Sequence, residues 1–269
     1  MPSRLMIAAI LAFWLGMTGL LIQREVVPMM VADASPTYQL DLTDEIGAPL
    51  LGWHIKRDGK RVGSATSRIV AKEDRSYEFH STFHFDQAFF QVKQIESVDR
   101  INEDFKLQGL SIKFTFESGL IAEIRGEVAN QSLEPRLFID DAENKLFQWG
   151  KIDMTQQGSV VNPMRLVSRL RRLAEGQTWK ITMLDPFRGI TLPVGGDLIK
   201  HMSAPPSLIA NVTTDNLKWN KKEVSCYKIE YHEPGKEVTA RTWIRKVDGM
   251  VLQQESSHLS FEMTLERIP

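Results

Sequence analysis

A two-residue rhythm constrains this chain more than any other feature. Within Ser76–Phe85, Tyr77, Phe79, Phe83 and Phe85 fall on one parity; Glu78, His80, Thr82 and His84 fall on the other. Successive side chains of a strand point to opposite faces, so this alternation predicts a strand with one covered and one wet face. Lys113–Phe116 follows the same rule. Leu120, Ala122, Ile124, Gly126 and Val128 alternate with Ile121, Glu123, Arg125 and Glu127. Tyr227, Ile229 and Tyr231 alternate with Lys228, Glu230 and His232, and Val238, Ala240, Thr242 and Ile244 alternate with Thr239, Arg241, Trp243 and Arg245. Turn signals separate these runs. Asp58–Gly59 is a hairpin tip, and Ser118–Gly119, Pro234–Gly235 and Asp248–Gly249 mark others. Roughly a dozen strands joined by short turns predict antiparallel meanders rather than a parallel sheet.

One segment breaks the rhythm. Asn162 suits an N-cap and Pro163 the first helical position. Met164, Leu166, Val167, Leu170, Leu173 and Ala174 form an apolar stripe at helical spacing, Arg165, Ser168, Arg169, Arg171 and Arg172 the polar side, and Gly176 a stop. An amphipathic helix inside a meander covers an open sheet face, and its basic side meets solvent, acidic side chains or anionic headgroups. Residues 185–207 are the least regular stretch: Pro186, Pro193, Pro205 and Pro206 cannot sit in a central strand, so this long loop is expected to be a lid or partner surface. The predicted fold class is mainly β (α+β): a curved antiparallel sheet or half-open β-barrel covered by one amphipathic helix, preceded by an N-terminal transmembrane helix.

That N-terminal helix is read from Leu5–Ile22, which carries no charge. At 1.5 Å per residue it spans about 27 Å, close to a bilayer's hydrocarbon core. Arg4 and the terminal amine precede it; Arg24 and Glu25 follow, with Asp33, Asp41, Asp44 and Glu45 beyond. This bias favours the N-terminus inside and the bulk of the chain outside. A cleaved signal peptide competes with the anchor, since Ala32–Asp33–Ala34 has the small-x-small form, but the apolar run exceeds the usual signal length. A buried soluble helix is the third reading, and needs every face covered. The expected organisation is 1–24 anchor or signal, 25–49 a Pro-broken acidic linker, and 50–269 the β domain. The expected location is the inner (cytoplasmic) membrane, single-pass, with the C-terminal domain extracytoplasmic.

Composition narrows the chemistry. With 33 basic and 34 acidic side chains, there is no excess positive charge to draw in nucleic acid. Cys226 is the single cysteine, so no disulfide forms within the chain, and its place in an apolar-polar run reads as strand packing. His80 and His84 share a strand face about 13 Å apart, too far for one metal ion. His54, His201, His232 and His258 complete the set, and no zinc pattern, nucleophile elbow, Walker loop or dinucleotide fingerprint is present. Asp140–Asp141 and Asp185 lie near turn signals, where turn chemistry accounts for them. Asn130–Gln131–Ser132 and Asn211–Val212–Thr213 match a glycosylation sequon that matters only in a eukaryotic secretory route. No catalytic residue, metal site or cofactor is expected. Trp53, Trp149, Trp179, Trp219 and Trp243 fall near strand candidates, either as sheet packing or as the wall of an apolar groove. Trp53, Trp179, Trp243, Leu166 and Leu170 are the candidate ligand-binding residues.

Two stretches carry a family resemblance. One is Trp53–His54–Ile55 leading into Asp58–Gly59–Lys60–Arg61–Val62–Gly63. The other is Glu223–Ile229 followed by Ala240–Ile244 and Asp248–Glu255, a Trp-bearing strand, a turn and a strand ending in an acidic residue. Together they resemble the DUF3108-like group of bacterial envelope proteins, of planctomycete type at the N-terminus, and through it the lipoprotein-carrier (LolA/LolB-like) superfamily. The resemblance implies a half-open barrel over helical cover whose concave side takes acyl chains. The chain departs from the carriers in its anchor and in having one good helix. The expected function is therefore a membrane-anchored, non-enzymatic protein binding a lipid or acyl chain. The alternatives are a scaffold that recruits an envelope protein, and an enzyme whose site is assembled from distant residues.

Overall fold

The computed structural model describes residues 13–14, 16–20, 50–89, 91–103, 106–144, 151–153, 160–161, 166, 169–170, 172–183, 207–256 and 263–269. Its β part begins with β1 (Leu51–Arg57), β2 (Lys60–Ala71), β3 (Tyr77–Phe89), β4 (Val92–Ile101), β5 (Leu107–Phe116), β6 (Ile121–Ala129) and β7 (Ser132–Ile139). Three two-residue strands follow: β8 (Ala142–Glu143), β9 (Ile152–Asp153) and β10 (Val160–Val161). β11 (Thr178–Met183), β12 (Ser207–Trp219), β13 (Lys222–His232), β14 (Val238–Arg245), β15 (Val251–Ser256) and β16 (Met263–Arg267) complete the series.

All of these strands belong to one sheet. Its order runs β10-β11-β12-β13-β14-β15-β16-β1-β2-β3-β4-β5-β6-β7-β8, with β9 also on β7. The last strand pairs with the first, so β16 and β1 splice the two halves of the chain into a continuous sheet. Every pairing is antiparallel except β10 with β11. The path has two free ends, so the sheet is not closed.

The rhythm translates directly into burial. In β3, Phe79, Phe83 and Phe85 are buried, while His84 is exposed and Glu78, His80 and Thr82 are half-buried. Cross-strand partners share a face, so one face carries Trp53, Ala65, Phe83, Ile95, Phe114 and Ala122 in register from β1 to β6. Residues of β1–β7 and β11–β16 belong to one contiguous core, and Trp53, Ile55, Phe83, Ile112, Ile124, Leu133, Ala210, Ile229 and Ile244 have no exposed surface. A flat sheet cannot seal its own face. The sheet therefore curls around this side, which is its concave side. Trp219, on the other face, spans strands as well: its Nε1 donates to the Arg267 carbonyl at 3.0 Å, although β12 and β16 lie four strands apart, about 19 Å in a flat sheet, so the sheet is far from flat there.

The segment expected to be a helix over Asn162–Gly176 is not one in its described residues. Leu166, Arg169, Leu170 and 172–176 carry no helix, and Arg172 adopts φ 63°, in the left-handed region. Instead the segment straps across the concave face. The Leu166 N–H donates to Ser81 Oγ (3.3 Å), the Leu170 N–H donates to the Gly249 carbonyl (2.8 Å), and Arg169 bridges Met250. Leu166, Leu170 and Leu173 still enter the core, whereas Ala174 is exposed and Met164 and Val167 lie outside the described residues, so the stripe holds for three of its six members and the helix does not. A short helix placing Arg165, Arg169 and Arg172 at i, i+4 and i+3 spacings sets like charges together, whereas the sheet offers the backbone partners directly.

At the N-terminus, residues 13–14 and 16–20 are helical, and Phe13, Trp14 and Leu20 are exposed. Among the described residues no helix is long and apolar enough to cross a membrane. The remainder of Leu5–Ile22, the 25–49 linker and residues 185–206 lie outside the described residues.

Candidate ligand-binding face

The concave face differs between its two halves. In the N-terminal half, a lane of small polar residues interrupts the aromatic rows. Ser67, Ser81 and Ser97 stand in register across β2, β3 and β4, all buried. Ser67 Oγ accepts from Trp53 Nε1 at 3.4 Å, and Ser81 Oγ accepts the strap's Leu166 N–H. The lane leaves room for the strap and meets its polar needs. Asp99 lies next to it on the same face, between Phe79 and Leu110, and is 2% exposed. Sequence reasoning missed all four residues. The signal was present: each is a polar residue at the parity that is otherwise apolar.

In the C-terminal half, the corresponding lane is Trp179–Ala210–Tyr231–Ala240–Ser256, one residue from each of β11 to β15. Its large members stand at one end and in the middle, with Ala and Ser between and beyond them. Trp179 and Ala210 are sealed; Tyr231, Ala240 and Ser256 are half-buried. Trp179 Nε1 is buried and has no hydrogen-bond partner, and neither has Gln254 Oε1, one row further along β15 on the same face.

The five candidate residues therefore divide. Trp53, Trp179, Leu166 and Leu170 all belong to the concave core. Trp53 is fully enclosed, with the Arg267 guanidinium 5.9 Å from its ring centroid. Trp243 belongs elsewhere. It packs with Cys226 and Leu252, and against Leu217, Trp219, Val224 and Met250, in a small core on the opposite face. Its Nε1 donates to Asp215 Oδ2 at 3.1 Å, and that bond holds the Asp215 carboxyl below the ordinary carboxylate range. A bulge at Leu252 lets β15 serve both cores: Ile244 pairs with Val251 and Trp243 with Gln253.

The titratable groups weighed from sequence fall into place. Cys226 has no exposed surface, and burial pushes its thiol up, away from thiolate character. His80 Nε2 sits 2.9 Å from Glu78, and His232 bonds Asn211 at 2.8 Å. His54 lies on the convex face beside Ser64 and Glu266, its Nδ1 buried without a partner. His201 and His258 lie outside the described residues. Asp140 and Asp141 form a turn with φ 47° and 64°; Asp140 accepts the Ile121 N–H and Asp141 pairs Arg125. Asn130 and Gln131 of the first sequon form the β6–β7 turn, with φ 51° and 59°. Among the described residues no group of three His, Cys, Asp or Glu side chains is placed to hold a metal ion.

No protein-family model matches the chain, and no curated protein matches it either, so the DUF3108-like assignment is not confirmed. Among solved structures, it is similar to a β-barrel-like protein of domain of unknown function DUF1849 from Brucella abortus. That match covers 81% of this chain and 96% of the other, at 10% identity and a TM-score of 0.39. A likeness of that size carries no argument about function.

Proposed function

We propose that this protein binds an apolar ligand, a lipid or acyl chain, on the concave face of its open sheet, as a non-enzymatic, membrane-held extracytoplasmic protein. One observation supports the binding reading above the others. The sheet concentrates its apolar side chains on one curved face and leaves its two ends unjoined. Mostly apolar concavities with a few polar groups are where small molecules bind. The uncharged run Leu5–Ile22 and the charges flanking it support the anchor and its orientation.

Native mass spectrometry of the detergent-extracted full chain tests the binding reading. The expected result is the chain mass plus a lipid-sized adduct that survives mild activation. The bare chain would count against it. A second reading has its own support: Leu166, Leu170 and Leu173 fill part of the concave face, as in a scaffold with a packed interior. A stoichiometric protein partner without lipid in the same spectra would favour the scaffold. A reporter fused at the C-terminus tests location, and activity only in the cytosol would overturn it.

A further inference from the structure

Among the described residues, the Trp179 indole is the most conspicuous unsettled group on the concave face. It is 3% exposed, and its Nε1 donor is buried without an acceptor. Buried indole N–H groups almost always find a partner. Trp53, equally enclosed on the same face, has Ser67. Around Trp179 the lane is built low: Ala210, Ala240 and Ser256 alternate with Tyr231, and the lane runs from the sealed Trp179 end to half-buried Tyr231, Ala240 and Ser256. Small residues stand between and beyond the aromatic ones, so the lane's own side chains are short there.

The charge around this lane selects among apolar ligands. Neither the lane nor the rows on either side of it, Ile181–Leu208 and Val212–Ile229–Thr242–Gln254, contains a Lys or Arg. A buried carboxylate needs a cation or several donors, whereas a neutral carbonyl is satisfied by one N–H. Gln254 Oε1 offers a second unpaired group toward the far margin, and its amide can turn to donate or accept.

We infer that the Trp179–Ala210–Tyr231–Ala240–Ser256 lane seats an elongated apolar molecule bearing a neutral oxygen acceptor, such as an acyl ester, with its carbonyl hydrogen-bonded to Trp179 Nε1. This rests on the apolar-binding reading and adds to it a ligand class and a polar contact. A free fatty carboxylate is the wrong ligand for this seat.

The test uses the full chain held in amphipol and three fluorescent probes: diphenylhexatriene, which has no oxygen; methyl cis-parinarate, a neutral ester; and cis-parinarate at pH 8, an anion. Wild type is expected to bind the hydrocarbon and the ester, and the anion more weakly than the ester. Trp179→Phe is expected to weaken ester binding roughly tenfold, the worth of one hydrogen bond, and to leave diphenylhexatriene binding within about twofold, as the lost bond requires. Equal loss of both probes, or no loss of either, overturns the inference while leaving apolar binding standing. Failure of wild type to bind any probe overturns both. Should Trp179→Phe not fold, the indole N–H signals of 15N-tryptophan-labelled wild type decide the matter. One sealed indole moving downfield with the ester but not the hydrocarbon supports the seat, and no such movement overturns it.

Discussion

Two tryptophans on the same concave face show how differently the halves of one sheet are finished. Trp53, in the N-terminal half, is enclosed and its N–H is accepted by Ser67. Trp179, in the C-terminal half, is equally enclosed and its N–H meets nothing. The difference extends to the surroundings. The Ser67–Ser81–Ser97 lane is crossed by the protein's own strap, which donates a hydrogen bond to Ser81. The Trp179 lane has Ala and Ser floors and half-buried margins. A buried polar group that the fold leaves unmatched calls for an explanation, and Trp53 shows that the same face can supply an indole with an acceptor.

Substitutions separate the two cases, the largest effect first. Trp53→Ala removes a fully enclosed ring at the junction of β16, β1 and β2, and is expected to cost about 3–5 kcal/mol by chemical denaturation. A loss under about 1 kcal/mol would mean that the two halves do not share one core there. Replacement by Phe sharpens the contrast. At Trp53 it strands Ser67 Oγ; at Trp179 it deletes a donor that had no acceptor. Trp53→Phe is expected to be more destabilising than Trp179→Phe by about 1–3 kcal/mol, the cost of a buried unsatisfied partner. Equal effects would erase the distinction. Ser81→Ala removes the acceptor of the Leu166 N–H, with an expected cost of about 1 kcal/mol, and hydrogen exchange at Leu166 should quicken. Unchanged exchange would show that Ser81 does not hold the strap.

The convex face offers the smallest effect. Arg125 donates to Glu123 at 2.5 Å and holds its carboxyl below the ordinary value of 4.5; desolvation by burial opposes it. A carboxylate whose folded pKa is depressed adds stability above its unfolded pKa and loses it as pH falls through the folded value. Arg125→Met is therefore expected to flatten the loss of stability below about pH 4.5, by a fraction of a kcal/mol for a pair this near solvent. An unchanged acid limb would show that the pair does not contribute.

The parts of the fold that rest on local chemistry were legible in the sequence. Alternation gave β3, β6, β13 and β14, because a pleated strand forces side chains to opposite faces whatever the global fold. Asp58–Gly59 was recognised because two left-handed residues suit a tight hairpin, and their φ values are 48° and 73°. Asn130–Gln131 and Asn220–Lys221 use left-handed turns too, with φ between 47° and 64°, but carry no glycine to announce it. The Asn162–Gly176 error has another origin. Leu166, Leu170 and Leu173 are spaced for a helix and are buried, but what decides their backbone is Ser81, Gly249 and Met250, none within 70 residues of the strap. Trp243 lies off the groove because it shares the parity of Thr239, Arg241 and Arg245 on β14, opposite Thr242 and Ile244; residue type pointed to the groove and parity did not. Pairing of β16 with β1 is likewise invisible to any local pattern.

The reading depends on the concave face accepting an apolar guest beside buried indoles, and quenching by a brominated ester tests this most directly. The full chain, with six tryptophans, is titrated with methyl 9,10-dibromostearate while its emission is resolved by wavelength. The account predicts saturable quenching of the blue-edge emission from enclosed indoles, reduced in Trp179→Phe. Quenching confined to the red-edge emission of exposed tryptophan, or none at all, would contradict it.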